Sequence, residues 1–172
     1  MPGRLTAGEV IDLLGLAPMP GEGGFFRRTV LVPNADPALD APAHTAILYL
    51  ISGETWSGLH MLQANEVFHF YLGDACRMVV CSPDGVLEER RLGTDLRSGC
   101  QIQTMVPAGT WQGTRLMDGG EFGFALLGTT MTPGFRRDQF RLALPADLES
   151  LPPNVADTLS EFLSPEVCSF RS

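Results

Sequence analysis

Two of the three histidines in this 172-residue chain lie in one short stretch, HMLQANEVFHFYLGD, at residues 60–74. Glu66 stands between His60 and His69 in that stretch. An imidazole can take or give a proton near neutral pH, and a nearby carboxylate can exchange protons or bind a metal ion. The stretch is therefore typical of three alternatives: a metal site, an acid–base site without metal, or the packed wall of an inert β-barrel.

The face on which each side chain lies narrows these alternatives. If EVFHFYL is a β-strand, Glu66 and Phe68 share one face while His69 and Tyr71 share the other. His69 should then point away from Glu66 unless a bulge shifts the register. The pattern predicts that His69 does not share a site with Glu66.

Composition excludes several classes of function. A net charge of −8 and basic residues that form no cluster larger than a pair disfavour binding to nucleic acid. All twelve basic residues are arginine, which excludes lysine Schiff bases and a P-loop lysine. We find neither an apolar run of the roughly 20 residues needed to cross a membrane nor a signal-peptide pattern. These features predict a cytoplasmic protein with small-molecule or protein partners.

The four cysteines are predicted to be reduced and structural, because none of them forms a C-x-x-C pair. They are Cys76, Cys81, Cys100 and Cys168.

The spacing of apolar residues predicts a single all-β domain over residues 1–172. Thr6 and Glu9 form a capping-box pattern that predicts a helix over about 6–15. Short apolar or alternating runs, separated by turns, then fill about 22–145 and predict an antiparallel sandwich or barrel. An amphipathic pattern predicts a second helix over about 154–163.

Four motifs in a fixed order resemble a known family. A histidine, a Glu-x6-Gly stretch ending at Gly73, and a P-x-G turn at Pro107–Gly109 are similar to the two motifs of the cupin superfamily. Together with EGGFFRRT and LLGTTMTPGFRRDQFRL, they resemble the cupin group DUF985, or Cupin_5, over about residues 5–145. The resemblance implies a double-stranded β-helix (the cupin jelly roll), a homodimer and an activity that is undetermined.

The chain departs from the metal-binding cupins at two positions. Gly58 stands at the first histidine of H-x-H, and Gln112 at the late histidine. His60 and Glu66 then supply two metal ligands, with the amide oxygen of Gln112 or Gln103 as a weak third. The resemblance thus leaves open a loosely held divalent metal such as Mn, Fe, Zn, Ni or Mg. The resemblance also places Arg28 at a position where the DUF985 pattern commonly has glutamate.

The same pair could act without a metal. His60 as base, with Glu66 or Tyr71 as acid, resembles the arrangement in cupin sugar epimerases. The alternative is a structural hydrogen bond between a buried histidine and a carboxylate.

Further side chains are predicted to bind a ligand, with core packing as the alternative for the aromatic residues. Arg27 is equally suited to hold an anionic ligand or to form a structural ion pair. The predicted ligand-binding residues are Arg27, Phe68, Gln103, Trp111 and Gln112, and Trp56, Phe70 and Gln101 are further candidates for the pocket lining.

Three functions follow from these residues. The first is an enzyme that acts on a polar, sugar-like metabolite by proton transfer or weakly metal-assisted isomerase, epimerase or lyase chemistry. The second is a non-catalytic binding or sensing module. The third is a metal-dependent oxygenase, which the missing histidines disfavour.

Overall fold

Two antiparallel β-sheets face each other in the computed structural model, which describes residues 3–36 and 38–166. The strands are β1 (Ala17–Pro18), β2 (Phe25–Val32), β3 (His44–Ser52), β4 (Ser57–Leu62), β5 (Glu66–Gly73), β6 (Cys76–Cys81), β7 (Leu87–Leu92), β8 (Gln103–Val106), β9 (Trp111–Leu116), β10 (Phe124–Met131) and β11 (Phe140–Leu142). One sheet has the order β1-β2-β3-β10-β5-β8, and the other has the order β11-β4-β9-β6-β7. This arrangement confirms the predicted all-β jelly roll.

The two helices lie at either end of the described chain. Helix α1 (Ala7–Leu14) has the predicted capping box, in which the Glu9 amide donates to Thr6 and the Thr6 amide donates to Glu9. It ends at Gly15, whose φ of 60° lies in the left-handed region that glycine adopts most easily. Helix α2 spans Pro153–Ser160, so it is shorter than the predicted range of about 154–163.

The hydrophobic core has two main layers. Between the sheets lie the inward-facing residues of the strands, among them Phe68, Phe70 and Met78. On the outer side of the second sheet, Leu59 and Trp111 pack against α2 and the residues that follow it. The alternation of side chains along the strands separates these layers, since neighbouring residues point to opposite faces.

The chain after α2 turns back across β4. The Leu59 amide donates to the Phe162 carbonyl at 2.6 Å, and the Trp56 indole donates to the Leu163 carbonyl at 3.0 Å. Ser164 is fully buried and donates to the Gly21 carbonyl. This tail segment, residues 162–166, therefore lies against the strand that carries His60.

Three of the four cysteines are described, and Cys76, Cys81 and Cys100 are buried free thiols. Cys168 lies outside the described residues. In the described part of the chain, no helix has the length and apolar character that crossing a membrane requires.

Candidate functional site

A cavity of about 320 Å³ opens between the two sheets. Its size lies at the lower end of the range of roughly 300–1,000 Å³ that is typical of small-molecule sites. Its wall is largely apolar and aromatic, and its ionisable lining residues, apart from Tyr49, are Glu22, Arg28, His60, Glu66 and Arg137.

His60 lies at the buried end of this cavity, on β4. Its Nδ1 is 2.8 Å from the Gly58 carbonyl oxygen, to which it donates a hydrogen bond. Its ring stacks on Phe140 with the centroids 5.2 Å apart. These contacts fix the ring and leave Nε2 as the nitrogen that can exchange a proton.

Glu66 and Gln112 lie on the Nε2 side of that ring. The Gln112 amide nitrogen donates to Glu66 Oε2 at 2.7 Å and lies 3.2 Å from His60 Nε2, which is itself 4.0 Å from Glu66 Oε2. The neutral ring accepts from Gln112. Protonation of Nε2 removes this acceptor. The protonated ring then donates towards Glu66, and the hydrogen bond from Gln112 to His60 is lost.

Glu22 lies on the opposite, Nδ1 side of His60. Its Oε1 is 3.9 Å from Nδ1 and accepts a hydrogen bond from Ser57 at 2.7 Å. The carboxyl group comes from the segment before β2, where Gly23 and Gly24 have φ values of 102° and 74°. This turn brings Glu22 into the barrel, and the Gly58 amide holds it there by donating to the Glu22 carbonyl at 2.9 Å.

The two carboxyl groups control the acidity of His60. Burial alone would lower the pKa of the imidazole, but Glu22 and Glu66 outweigh it and raise that pKa to about 9. Burial raises the pKa of the Glu22 carboxyl, and the neighbouring His60 opposes that shift. His60 is therefore protonated at neutral pH and is suited to donate a proton.

This shift makes the stability of the protein depend on pH. The folded pKa of about 9 lies above the ordinary value of 6.5, so the native state holds more protons than the unfolded state between these values. The free energy of unfolding should fall, by about 3 kcal/mol in all, as pH rises through this interval. Urea denaturation at several pH values measures the effect.

The control is His60→Gln, which removes the titrating group. The pKa of the Glu22 carboxyl is also raised and acts with the same sign, so the wild type and the variant are compared over the same pH interval. A wild-type slope between pH 6.5 and 9 no steeper than that of His60→Gln would contradict the assignment.

The structure brings four of the predicted site residues together. His60, Glu66 and Phe68 line the cavity, and Gln112 is buried behind the first two. His69 lies on the other face of β5, as expected, where it contacts Thr130 and Gln103.

The predictions for Gln103, Trp111 and Arg27 as cavity residues are not supported by their positions. Gln103 pairs across the sheet with His69, and paired residues share a face, so its side chain lies outside the barrel. Trp111 precedes the inward-facing Gln112 and therefore points into the outer core, beside Arg141.

Arg27 is exposed on the outer face of β2, whereas the next residue, Arg28, lines the cavity. Of the other candidates, Phe70 lies in the inner core, Trp56 stacks on Arg115, and Gln101 is exposed.

Sequence reasoning missed Glu22, Arg28 and Arg137. Strand alternation offered a signal for Arg28, since Phe26 and Arg28 lie on one face of β2 and line the cavity together. Glu22 lies in a turn and Arg137 begins a one-turn 3-10 helix, and neither is long enough for a periodic pattern to indicate the direction of a side chain.

A resident metal ion does not fit the donor set. Among the described residues, no group of three histidine, cysteine or acidic side chains is placed to hold a metal. Between His60 and Glu66, the Gln112 amide presents hydrogens, and its buried Oε1 has no partner in the described part of the chain. A Cβ at Gly58 would lie 2.7 Å from the Glu22 carbonyl oxygen and 2.6 Å from Ser164 Cβ. A histidine therefore cannot occupy that position without movement of the backbone.

Two antiparallel sheets around a ligand-sized cavity, with polar groups at its closed end, define the chain as a jelly-roll protein of the cupin kind. The sequence model of one family, the cupin superfamily group DUF985, matches residues 8–143. The chain belongs to this family.

Similar proteins agree with this assignment. An uncharacterized protein of Saccharomyces cerevisiae is 26% identical over 130 residues, which cover 66% of this chain and 64% of the yeast protein. A crystal structure from Shewanella oneidensis superimposes with a TM-score of 0.84 at 29% identity and covers 94% of this chain and 99% of its own.

A more distant likeness shows the fold alone. Oxalate decarboxylase from Bacillus subtilis, described with Mn(II) centers, superimposes with a TM-score of 0.53 at 15% identity. The match covers 90% of this chain and 37% of that enzyme.

Proposed function

We propose that the cavity binds a small organic molecule and exchanges a proton with it, as in an isomerase, epimerase or lyase. The observation that supports this best is a buried imidazole, with a pKa raised to about 9 by two carboxyl groups, that faces a cavity of about 320 Å³. Strongly perturbed titratable groups in a cavity are a common sign of acid–base catalysis.

Each group has a distinct role in this proposal. His60 donates the proton from Nε2, because Nδ1 is engaged with the Gly58 carbonyl. Glu66 lies on the Nε2 side and lines the cavity, so its carboxylate is the base. Glu22 stands behind the ring and keeps His60 protonated. This assignment reverses the predicted roles of His60 as base and Glu66 as acid.

Tyr71 takes no part in this reaction. It lies on the outer face of β5, where its ring is stacked beside that of His69. Its hydroxyl is therefore separated from the cavity by the sheet.

We infer that the reaction needs no divalent metal, because the amide hydrogens of Gln112 lie where a cation would have to sit between His60 and Glu66. A metal-dependent oxygenase is correspondingly disfavoured. A binding or sensing module would use the same cavity without turnover.

Proton exchange with solvent tests the proposal directly. The protein is incubated in D₂O with sugars, nucleotide sugars and organic acids, and NMR follows the incorporation of deuterium at carbon. We expect one compound class to exchange, and His60→Gln or Glu66→Gln to slow that exchange by about a hundredfold or more.

The matched control is His69→Gln, which changes a histidine on the outer face of β5 and should leave exchange intact. Equal exchange rates in wild type and His60→Gln would refute the proposed roles. Binding of a compound without exchange would favour the non-catalytic module.

A further inference from the structure

Two arginines at the solvent end of the cavity carry a charge that the fold does not use. Arg28 and Arg137 are exposed and line the cavity, and neither forms an ion pair or a side-chain hydrogen bond with any described residue. Arg136, adjacent to Arg137 in sequence, differs because it pairs with Asp138 at 2.7 Å and with Asp40 at 3.1 Å. The side chains of Arg28 and Arg137 are therefore available to a ligand.

The charge of the cavity is opposite to that of the protein. Its lining has three cationic groups, Arg28, Arg137 and protonated His60, against the carboxyl groups of Glu22 and Glu66. The whole chain has a net charge of −8. A positive cavity in an acidic protein favours an anion over a neutral or cationic ligand.

The rest of the wall is largely apolar and rich in aromatic rings, with hydroxyl groups from Thr45, Tyr49 and Thr129. Phe26, Phe68, Phe135 and Phe140 contribute rings, and Ile47, Leu62 and Met131 contribute aliphatic surface. Such walls bury an apolar or planar body, while a few polar groups fix its orientation. A fully hydroxylated sugar would set several of its hydroxyl groups against this apolar surface, where they find no hydrogen-bond partner.

Phe140 connects the two ends of the cavity. One contact joins its ring to His60, with centroids 5.2 Å apart, and another joins it to the Arg137 guanidinium at 5.8 Å. A small molecule that lies against Phe140 can therefore place an anionic group near Arg137 and a carbon atom near His60.

We propose that the ligand of this cavity is an organic oxyanion: a carboxylate or phosphate on an apolar, planar body, with the anionic group held by Arg28 and Arg137. The guanidinium group binds both kinds of oxyanion through paired hydrogen bonds. This inference rests on the proposed function in taking the ligand to be the molecule that meets His60. It proposes acids with an apolar body in place of the sugar-like class that the sequence predicts.

Calorimetry with three probes of one shape tests this inference: phenylacetate, phenyl phosphate and phenylacetamide. We expect at least one of the two anions to bind about tenfold or more tightly than the neutral amide, and to lose affinity as salt is added. The anion that binds more tightly identifies the kind of oxyanion, and the inference is supported whichever of the two it is.

Matched variants locate the binding group. Arg28→Met and Arg137→Met should each weaken anion binding by about ten- to a hundredfold with the melting temperature unchanged. Arg27→Met, one residue away on the outer face, should bind the anion as wild type does.

Three results would overturn the inference: no binding of either anion at millimolar concentration, equal binding of phenylacetamide, or equal weakening by Arg27→Met. All of these measurements are of binding alone. Failure of proton exchange in D₂O would therefore refute the proposed chemistry and not the anion site. Failure of anion binding would refute the anion site and not the proposed chemistry.

Discussion

Replacing Gly58 by alanine is expected to lower the free energy of unfolding by about 3 kcal/mol. The new Cβ would lie 2.7 Å from the Glu22 carbonyl oxygen and 2.7 Å from Ser164 Cα, and both of these are backbone atoms. The strand, the Glu22 segment or the tail segment must then move. Urea denaturation of the wild type and the variant measures the loss.

The same change should also alter the site, because the Gly58 amide holds the Glu22 backbone at 2.9 Å. If Glu22 moves away, the pKa of His60 should fall from about 9 towards its ordinary value, which NMR titration can follow. Gly53→Ala is the matched control, since nothing lies within 4 Å of its added Cβ. Wild-type stability in Gly58→Ala would contradict the close packing described above.

Replacing Asp74 by alanine should cost about 3–4 kcal/mol of stability, because its buried carboxylate organises the turn before β10. It accepts from the amides of Glu121 at 2.7 Å, Phe122 at 3.0 Å and Gly123 at 2.6 Å. Without the carboxylate, these three donors lose their partner inside the fold. Thermal and urea denaturation measure the total, and amide hydrogen exchange should show faster opening at residues 121–123.

Asp118→Ala is the control for this loop, since the Asp118 side chain has none of these amide contacts and should change stability little. The exchange of the compound's carbon-bound hydrogen in D₂O should be retained in Asp74→Ala, because Asp74 does not line the cavity. A loss of unfolding free energy below about 1 kcal/mol would contradict this prediction and would mean that water accepts from the three amides almost as well as the carboxylate does.

The sequence predicts the fold well because its signals are local. Turn residues mark the ends of the strands, and alternation in EVFHFYL places Glu66 and Phe68 on the face opposite His69, as the structure shows. The pairing of His60 with Glu66 came from the resemblance to cupins, and their catalytic role remains a proposal. The predicted homodimer remains a prediction as well.

The missing parts of the site depend on register and on long-range contacts. In FFRR, alternation requires one arginine to point inward, but it does not say which, and a shift of one residue exchanges Arg27 for Arg28. Glu22 reaches His60 only because a glycine turn folds it back into the barrel. Trp111 could have been excluded because it is adjacent to Gln112 on one strand, whereas the position of Gln103 depends on the pairing of β5 with β8.

The tail segment has a consequence for how widely one protein's chemistry can be transferred to its relatives. It lies beyond residues 8–143, which the family model matches, yet Ser164 abuts Gly58 and donates to Gly21, next to Glu22. The tail segment thus supports the backbone around Glu22, and Glu22 is one of the two carboxyl groups that raise the pKa of His60. A relative with a different extension is expected to hold this carboxyl group differently, so the barrel motif alone is not a sufficient guide to the acidity of the histidine.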